Sequence, residues 1–272
     1  MSAKRPRLLN LGCGARFHAD WVNADIAPAA PGVLALDLRK GLPFAAASFD
    51  AVYCSHVLEH LPRGEAQGLL RAIHAVLRPG GVVRIVVPDL EAIVRAYLAL
   101  LDRLRAGEAA READYDWMLL ELYDQAVRDA PGGDMARWLA SLRPENAAFV
   151  RARIGAAEVD GAQAAPRDAP SSMPRLLQAL RGRLARAAAR LVGGRDAAEA
   201  YAEGAFRRSG EVHRWMYDDY SLARALAQAG FAQPRRRTAF ESAIAGFAAY
   251  RLDVDEAGGV RKPDSMYMEA VA

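Results

Sequence analysis

The sequence predicts an α/β fold, a single domain on an open, mostly parallel sheet with a helical insertion or lid at about residues 90–212. Three observations predict it. Near-continuous apolar runs of strand length end in glycine or aspartate through residues 8–90. A crossover between two of them has the three- and four-residue apolar spacing of a helix. Beyond residue 90 the texture turns helical, and strand-like runs return only near the end. A chain of 272 residues that is 52% apolar is long enough for one large domain carrying such an insertion.

Taken in order, Leu8-Leu9-Asn10-Leu11 is a buried strand stopped by glycines. Residues 21–26 form the second, residues 33–36 the third, ending at Asp37, and residues 49–54 the fourth. Residues 64–77 form a helix with Leu69, Leu70, Ile73, Val76 and Leu77 on one face, stopped by Pro79-Gly80-Gly81. Residues 82–87 are the fifth strand. Strands this apolar, joined by crossovers, belong to a parallel sheet with helices on both faces. Within the insertion, residues 91–105 and 114–128 are amphipathic helices. Residues 155–172, rich in Gly, Pro, Ala and Ser, are expected as a mobile loop. Residues 173–192 return to helix, with a leucine stripe opposite Arg175, Arg181, Arg183, Arg186 and Arg190. A helix at 220–228 closed by Gly230, a sixth strand within 233–240 and an alternating seventh at 265–271, at an edge, complete the sheet.

Composition removes several function classes. A net charge of +3 mildly favours anionic partners, and without a dense basic stripe interleaved with aromatics no nucleic acid partner is expected. No apolar run is long enough to span a bilayer. The basic start, residues 1–7, is followed by no apolar signal-peptide core. Two cysteines, Cys13 and Cys54, form neither a disulfide framework nor a metal pattern, so a cytoplasmic location is expected.

The chemistry concentrates at strand ends. Gly12-Cys13-Gly14 closes the first strand, and closely spaced glycines let a ligand approach the backbone. Alone, this is as consistent with an ordinary turn as with a nucleotide site. Asp25 ends the second strand and Asp37 the third, so three strand ends converge on a ligand rich in hydroxyls and amines. A dinucleotide site places its acid roughly 20 residues beyond the glycines and carries a third glycine. Here Asp25 follows sooner and no third glycine is present, which disfavours a nicotinamide dehydrogenase.

Leu9-Asn10-Leu11-Gly12-Cys13-Gly14, the block 37–44 from Asp37 to Phe44, the block 49–61 from Phe49 to Leu61, and Leu77-Arg78-Pro79-Gly80-Gly81 resemble, in order and spacing, the class I S-adenosylmethionine-dependent methyltransferases. The resemblance covers residues 8–90. The segments 215–231 and 262–265 resemble a bacterial subgroup linked to polysaccharide biosynthesis. The resemblance implies a Rossmann-like seven-stranded sheet with an antiparallel edge strand, S-adenosylmethionine as cofactor and S-adenosylhomocysteine as product. It further implies that Gly12, Cys13 and Gly14 face the cofactor's amino-acid portion, that Asp25 holds the ribose hydroxyls with Ile26 on adenine, and that Asp37 accepts from the adenine amine beside Leu38. Ser55, His56 and Val57 would line the methionine part, with His60 nearby. Two departures stand out. Asn10 occupies a cofactor-facing position where the family commonly has an acid, and residues 15–21 are too short for the usual first helix. That missing cover is expected from the long middle insertion.

Methyl transfer gains much from holding nucleophile and methyl in contact, and a hydroxyl nucleophile also gains from a base near neutral pKa. Of five histidines, His74 lies in a helix, His18 in the loop after the glycines, and His56 and His60 at the exit of strand four. His60 reads equally as a structural hydrogen bond in its turn. His213, in a polar and aromatic loop, is the preferred base or substrate contact, and Asp89, after strand five, competes with it. Asp25, Asp37, Asp89, Asp253 and Asp255 have no ligand spacing, so no metal is assigned. The arginine-faced helix reads mainly as a solvated face, with peripheral contact to an anionic membrane as its sharper alternative. The favoured function is O-methylation of a sugar or other hydroxylated metabolite. N-methylation of a small amine needs no strong base, and a non-catalytic cofactor-binding protein would keep the fold alone.

Overall fold

The structure, a computed structural model, describes residues 5–164 and 173–272, with side chains 163–179 outside the description. Seven strands form one sheet: β1 (Leu8–Leu11), β2 (Trp21–Asp25), β3 (Val33–Ala35), β4 (Phe49–Ser55), β5 (Leu77–Pro88), β6 (Ala232–Arg237) and β7 (Ser265–Val271). Their order is β3-β2-β1-β4-β5-β7-β6. β1 to β5 are mutually parallel, and β7 runs antiparallel to both β5 and β6. The antiparallel member thus lies one place in from the edge, with β6 outermost. Strand order reverses between β1 and β4, the place where open α/β sheets bind ligands beyond their carboxyl ends.

One face is covered by α1 (Arg63–Val76) and α8 (Asp219–Gln228). Leu69, Leu70 and Ile73 of α1 and Leu222 and Leu226 of α8 pack there on Leu9, Leu11, Val52 and Ile85. Asp218 caps α8, accepting from Ser221 N at 2.7 Å while Ser221 Oγ accepts from Asp218 N at 3.1 Å.

The other face is closed differently from expectation. The β1–β2 and β2–β3 connections contain no helix, because residues 12–20 and 26–32 are too short for a crossover that packs back on the sheet. Their place against the sheet is taken by residues 238–260, between β6 and β7, while the middle insertion covers the glycine turn with Glu158, Arg207 and Gly210. Phe247 and Tyr250 from this segment meet Trp21 at 6.3 and 5.3 Å, and Tyr250 also meets His18 at 5.0 Å. Arg84, fully buried in β5, fastens the segment: it donates to Asp253 Oδ2 at 2.7 Å, Glu269 Oε1 at 2.9 Å, and the backbone oxygens of Thr238 and Glu241. Tyr53 Oη donates to the same Asp253 at 2.6 Å.

The insertion holds α2 (Leu90–Arg105), α3 (Glu112–Val127), α4 (Gly133–Ala140), α5 (Pro144–Ile154), α6 (Ala156–Ala164) and α7 (Met173–Arg207). Ile93, Leu100, Trp117, Met118, Leu139, Val150 and Val159 give it an apolar core of its own. α6 occupies much of the expected loop at 155–172, whose remainder, 165–172, lies outside the described residues. α7 runs past the expected end at 192 and is interrupted at Gly194, where φ is +76°. Leu180, Leu184, Leu191 and Val192 are exposed, whereas Leu176 and Leu177 of the same stripe fall outside the described side chains. Among the described residues no helix is long and apolar enough to cross a membrane.

Candidate functional site

Two neighbouring clefts open beyond the carboxyl ends of β1, β2 and β4, and both touch Gly12 and His56. The larger, about 600 Å³, is lined by Asp25, Ile26, Asp37, Leu38, Val57 and His60, with Arg207, Arg208, Gly210 and Arg214 closing it from the end of α7. The smaller, about 200 Å³, is lined by Cys13, Gly14, Ser55, Arg16, Glu158 and Lys262, among others.

Local backbone chemistry makes the floor. Gly12 has φ +65°, and a Cβ there would overlap Val57 Cγ2, so only glycine leaves the turn free. Gly12 N donates to Ala24 O at 2.8 Å, tying the turn to β2. Asp25 accepts from Gly14 N and from Ala27 N, each at 2.8 Å, so one carboxylate fixes both the glycine turn and the start of the next loop. Asp37 is gripped by Arg39, whose Nε and Nη2 donate at 2.8 and 3.0 Å, and this contact holds the carboxyl below its usual range. Burial, reinforced by the Asp25 charge, pushes the Cys13 thiol up to about 11, so it is a neutral wall.

Asn10 does not reach either cleft. It lies beneath the turn, and its Nδ2 donates to Arg16 O and Asn23 Oδ1, both at 3.0 Å. It therefore shapes the loop that replaces the first helix. The other eleven residues expected around a cofactor all line one cleft or the other.

The two expected bases also stand away from the clefts. Asp89 is buried, caps α2 by accepting from Ala92 N at 3.1 Å, and is ion-paired with Arg236. His213 is 6% exposed and stacks edge-on behind His60, ring centroids 4.7 Å apart. Burial drives its pKa down to about 3, so its imidazole is neutral at physiological pH. Neither residue is among those lining the two clefts.

His56 does line both clefts, and Glu59 is buried behind it. His56, with φ +53° at the exit of β4, has Nδ1 3.1 Å from Glu59 Oε1 and Nε2 3.0 Å from Ser265 Oγ at the start of β7. Glu59 is wholly buried. Burial favours its neutral form, but the His56 hydrogen bond and the surrounding imidazoles outweigh this and hold it at about 2. Sequence reading singled out neither Glu59 nor Ser265. Glu59 lies in a block whose other polar members had been assigned, and Ser265 reaches His56 only through the pairing of Pro88 with Ser265. Asp253 and Asp255 are likewise explained without a metal: Arg84 and Tyr53 engage the first, and Gly259 N donates to the second at 2.7 Å.

Comparison with known proteins places residues 9–85, from β1 into β5, in a match to the methyltransferase domain family. No curated protein matches the chain. Among solved structures, the chain is similar to the [4+2]-cyclase SpnF, with 24% identity, 30% of this chain and 38% of that one covered, and a TM-score of 0.25. It is similar to the possible histamine N-methyltransferase of Thermotoga maritima, with 9% identity, 99% and 84% covered, and a TM-score of 0.37. It is also similar to the 1,6-didemethyltoxoflavin-N1-methyltransferase of Burkholderia thailandensis, with 20% identity, 31% and 46% covered, and a TM-score of 0.27.

Proposed function

We propose that this chain, an S-adenosylmethionine-dependent methyltransferase of class I, methylates a hydroxyl group on a sugar or similar bacterial metabolite. The observation that carries the reading is His56 on the wall of the cleft, paired with the carboxylate of Glu59 buried behind it. An amine acceptor needs only its neutral form, whereas a hydroxyl must lose a proton, and this pair is built to take it.

The clefts suit the cofactor on physical grounds. A glycine turn without Cβ atoms, two carboxylates at successive strand ends, and apolar Ile26, Leu38 and Val57 between them match a ligand with an amino-acid end, a diol and a flat heterocycle. Asp25 would hold the ribose hydroxyls, Asp37 the adenine amine, and Ile26 and Leu38 the ring. Gly12, Cys13, Gly14, Ser55, His56 and Val57 would surround the methionine portion. Arg16 and Lys262 would face its carboxylate, and Glu158 its ammonium, in place of the acid missing at Asn10. The bound cofactor supplies an electrophilic sulfonium methyl group.

In this reading the acceptor hydroxyl takes the place of Ser265 Oγ at His56 Nε2 and passes its proton to that nitrogen, while Glu59 orients the ring through Nδ1. His213 and Asp89 are positioning residues. Arg207, Arg208 and Arg214 at the rim suit an acceptor carrying phosphate or carboxylate, and such saccharides fit a role in polysaccharide biosynthesis. A screen of phosphorylated sugars, uronic acids, lipid-linked saccharides and amines, read by mass, tests the reading. O-methyl product is expected, with His56→Asn lowering kcat by about 100-fold. An N-methylated product formed equally well by His56→Asn would overturn it.

A further inference from the structure

Behind the cleft wall lies a cluster that methyl transfer alone does not explain. Glu59, His60 and His213 each offer one donor atom, and the three donors lie within 4.8 Å of one another. We propose that Glu59, His60 and His213 bind one divalent transition-metal ion.

The donor set is two imidazoles and one carboxylate, the combination that holds zinc, manganese or iron while leaving positions open for another ligand. The polar atoms are also left unused. Apart from the approach of His56 Nδ1, neither carboxylate oxygen of the wholly buried Glu59 has a hydrogen-bond partner, and the buried His60 Nδ1 has none. A buried acceptor without a partner costs about 1–3 kcal/mol, more for a charged group, so Glu59 Oε2 and His60 Nδ1, both left without one beside His213, call for a ligand. One carboxylate and two imidazoles gathered in this way are lone-pair donors suited to a cation. The Nη groups of Arg128 are engaged elsewhere: Nη2 donates to Glu211 O at 2.6 Å and lies 3.6 Å from the Glu211 carboxylate, and Nη1 lies 4.0 Å from Asp124, while its buried Nε has no partner.

The supporting structure fits this use. The turn carrying Glu59 and His60 and the strand-like segment carrying His213 are clamped by backbone bonds, Arg214 N to Glu59 O at 2.6 Å and Trp215 N to Glu59 O at 3.1 Å. His213 N donates to Gln125 O at 2.8 Å. Backbone support of this kind fixes the orientation of a metal-bound imidazole. Bonds of about 2.1 Å bring donors roughly 3–3.5 Å apart, a contraction that small side-chain rotations supply. His60 also lines the larger cleft, so an open coordination position would face the acceptor and hold its oxygen. That last role rests on the methyl-transfer reading; the ion site itself does not.

The test uses the full chain stripped by a chelator and titrated calorimetrically with zinc chloride and, separately, manganese chloride. One ion per chain is expected, and Glu59→Gln and His213→Ala, checked for native circular dichroism, should each weaken binding at least about tenfold. The wild-type chain loaded with cobalt gives a second readout that needs no variant. Visible bands of a nitrogen- and oxygen-ligated ion are expected, whereas no bands, or a thiolate charge-transfer band from Cys13 or Cys54, would overturn the site. Ion binding unchanged in both variants would overturn it equally. S-Adenosylhomocysteine titrated in the presence of chelator tests the methyltransferase reading separately.

Discussion

Replacing Gly12 by alanine probes the cofactor turn at its tightest point. Gly12 sits at φ +65°, where an L-residue is disfavoured by roughly 1–2 kcal/mol. The new Cβ also overlaps Val57 Cγ2, and turning that valine off its rotamer costs about 0.5–1.5 kcal/mol. The sum is about 1.5–3.5 kcal/mol, equivalent to roughly 10- to 300-fold in an equilibrium constant. If the turn keeps its shape, the loss appears in urea unfolding. If it moves to relieve the overlap, the loss appears in S-adenosylhomocysteine affinity measured by calorimetry. Adding Val57→Ala removes only the steric part, so a double-mutant cycle should return a coupling of about 1 kcal/mol. Unchanged stability together with unchanged affinity in Gly12→Ala, or a cycle with no coupling, would refute the reasoning.

Other perturbations have equally definite outcomes. Asp25→Ala removes the acceptor of Gly14 N and Ala27 N and the carboxylate facing the cleft, and should lower S-adenosylhomocysteine affinity by at least about tenfold. Arg84→Met removes the buried cation that Asp253 and Glu269 share, leaving Asp253 with Tyr53 and Glu269 with Arg237, and should cost about 3–5 kcal/mol in chemical denaturation; a loss under about 1 kcal/mol would contradict the anchoring role of that network. Asp218→Ala removes the cap of α8 and should cost about 1 kcal/mol without altering cofactor affinity. Hydrogen bonds from Ser221 hold the Asp218 carboxyl below its unfolded value, so its contribution is complete at neutral pH and is lost as pH falls through the carboxylate range. Melts of wild type and Asp218→Ala should therefore converge in acid.

The strands were legible because burial on both faces leaves continuous apolar runs, and β1 and β7 run over the residues expected of them. β5 begins earlier, at Leu77, since Gly80 N and Gly81 O pair with Ala272 and draw Pro79-Gly80-Gly81 into the sheet. α4 and α5 escaped notice because each is short, and α4 starts at two glycines of positive φ, Gly132 and Gly133, that read as a loop. The glycine and aspartate positions of the cleft were legible because strand ends set them locally. The burial of His213 and Asp89 was not, because it depends on segments distant in the chain: the 212–215 stretch folding onto Glu59, and Arg236 of β6 reaching Asp89. Arg84 reads as a flaw in an apolar strand until Asp253 and Glu269 arrive from the far end of the chain.

The most direct measurement is calorimetric titration of the purified chain with S-adenosylmethionine, S-adenosylhomocysteine and NAD. Binding of both sulfur ligands at one site per chain, weakened by Gly12→Ala and Asp25→Ala, with no heat from NAD, is the predicted result. Binding of NAD with neither sulfur ligand would contradict the assignment of the Gly12 turn to S-adenosylmethionine.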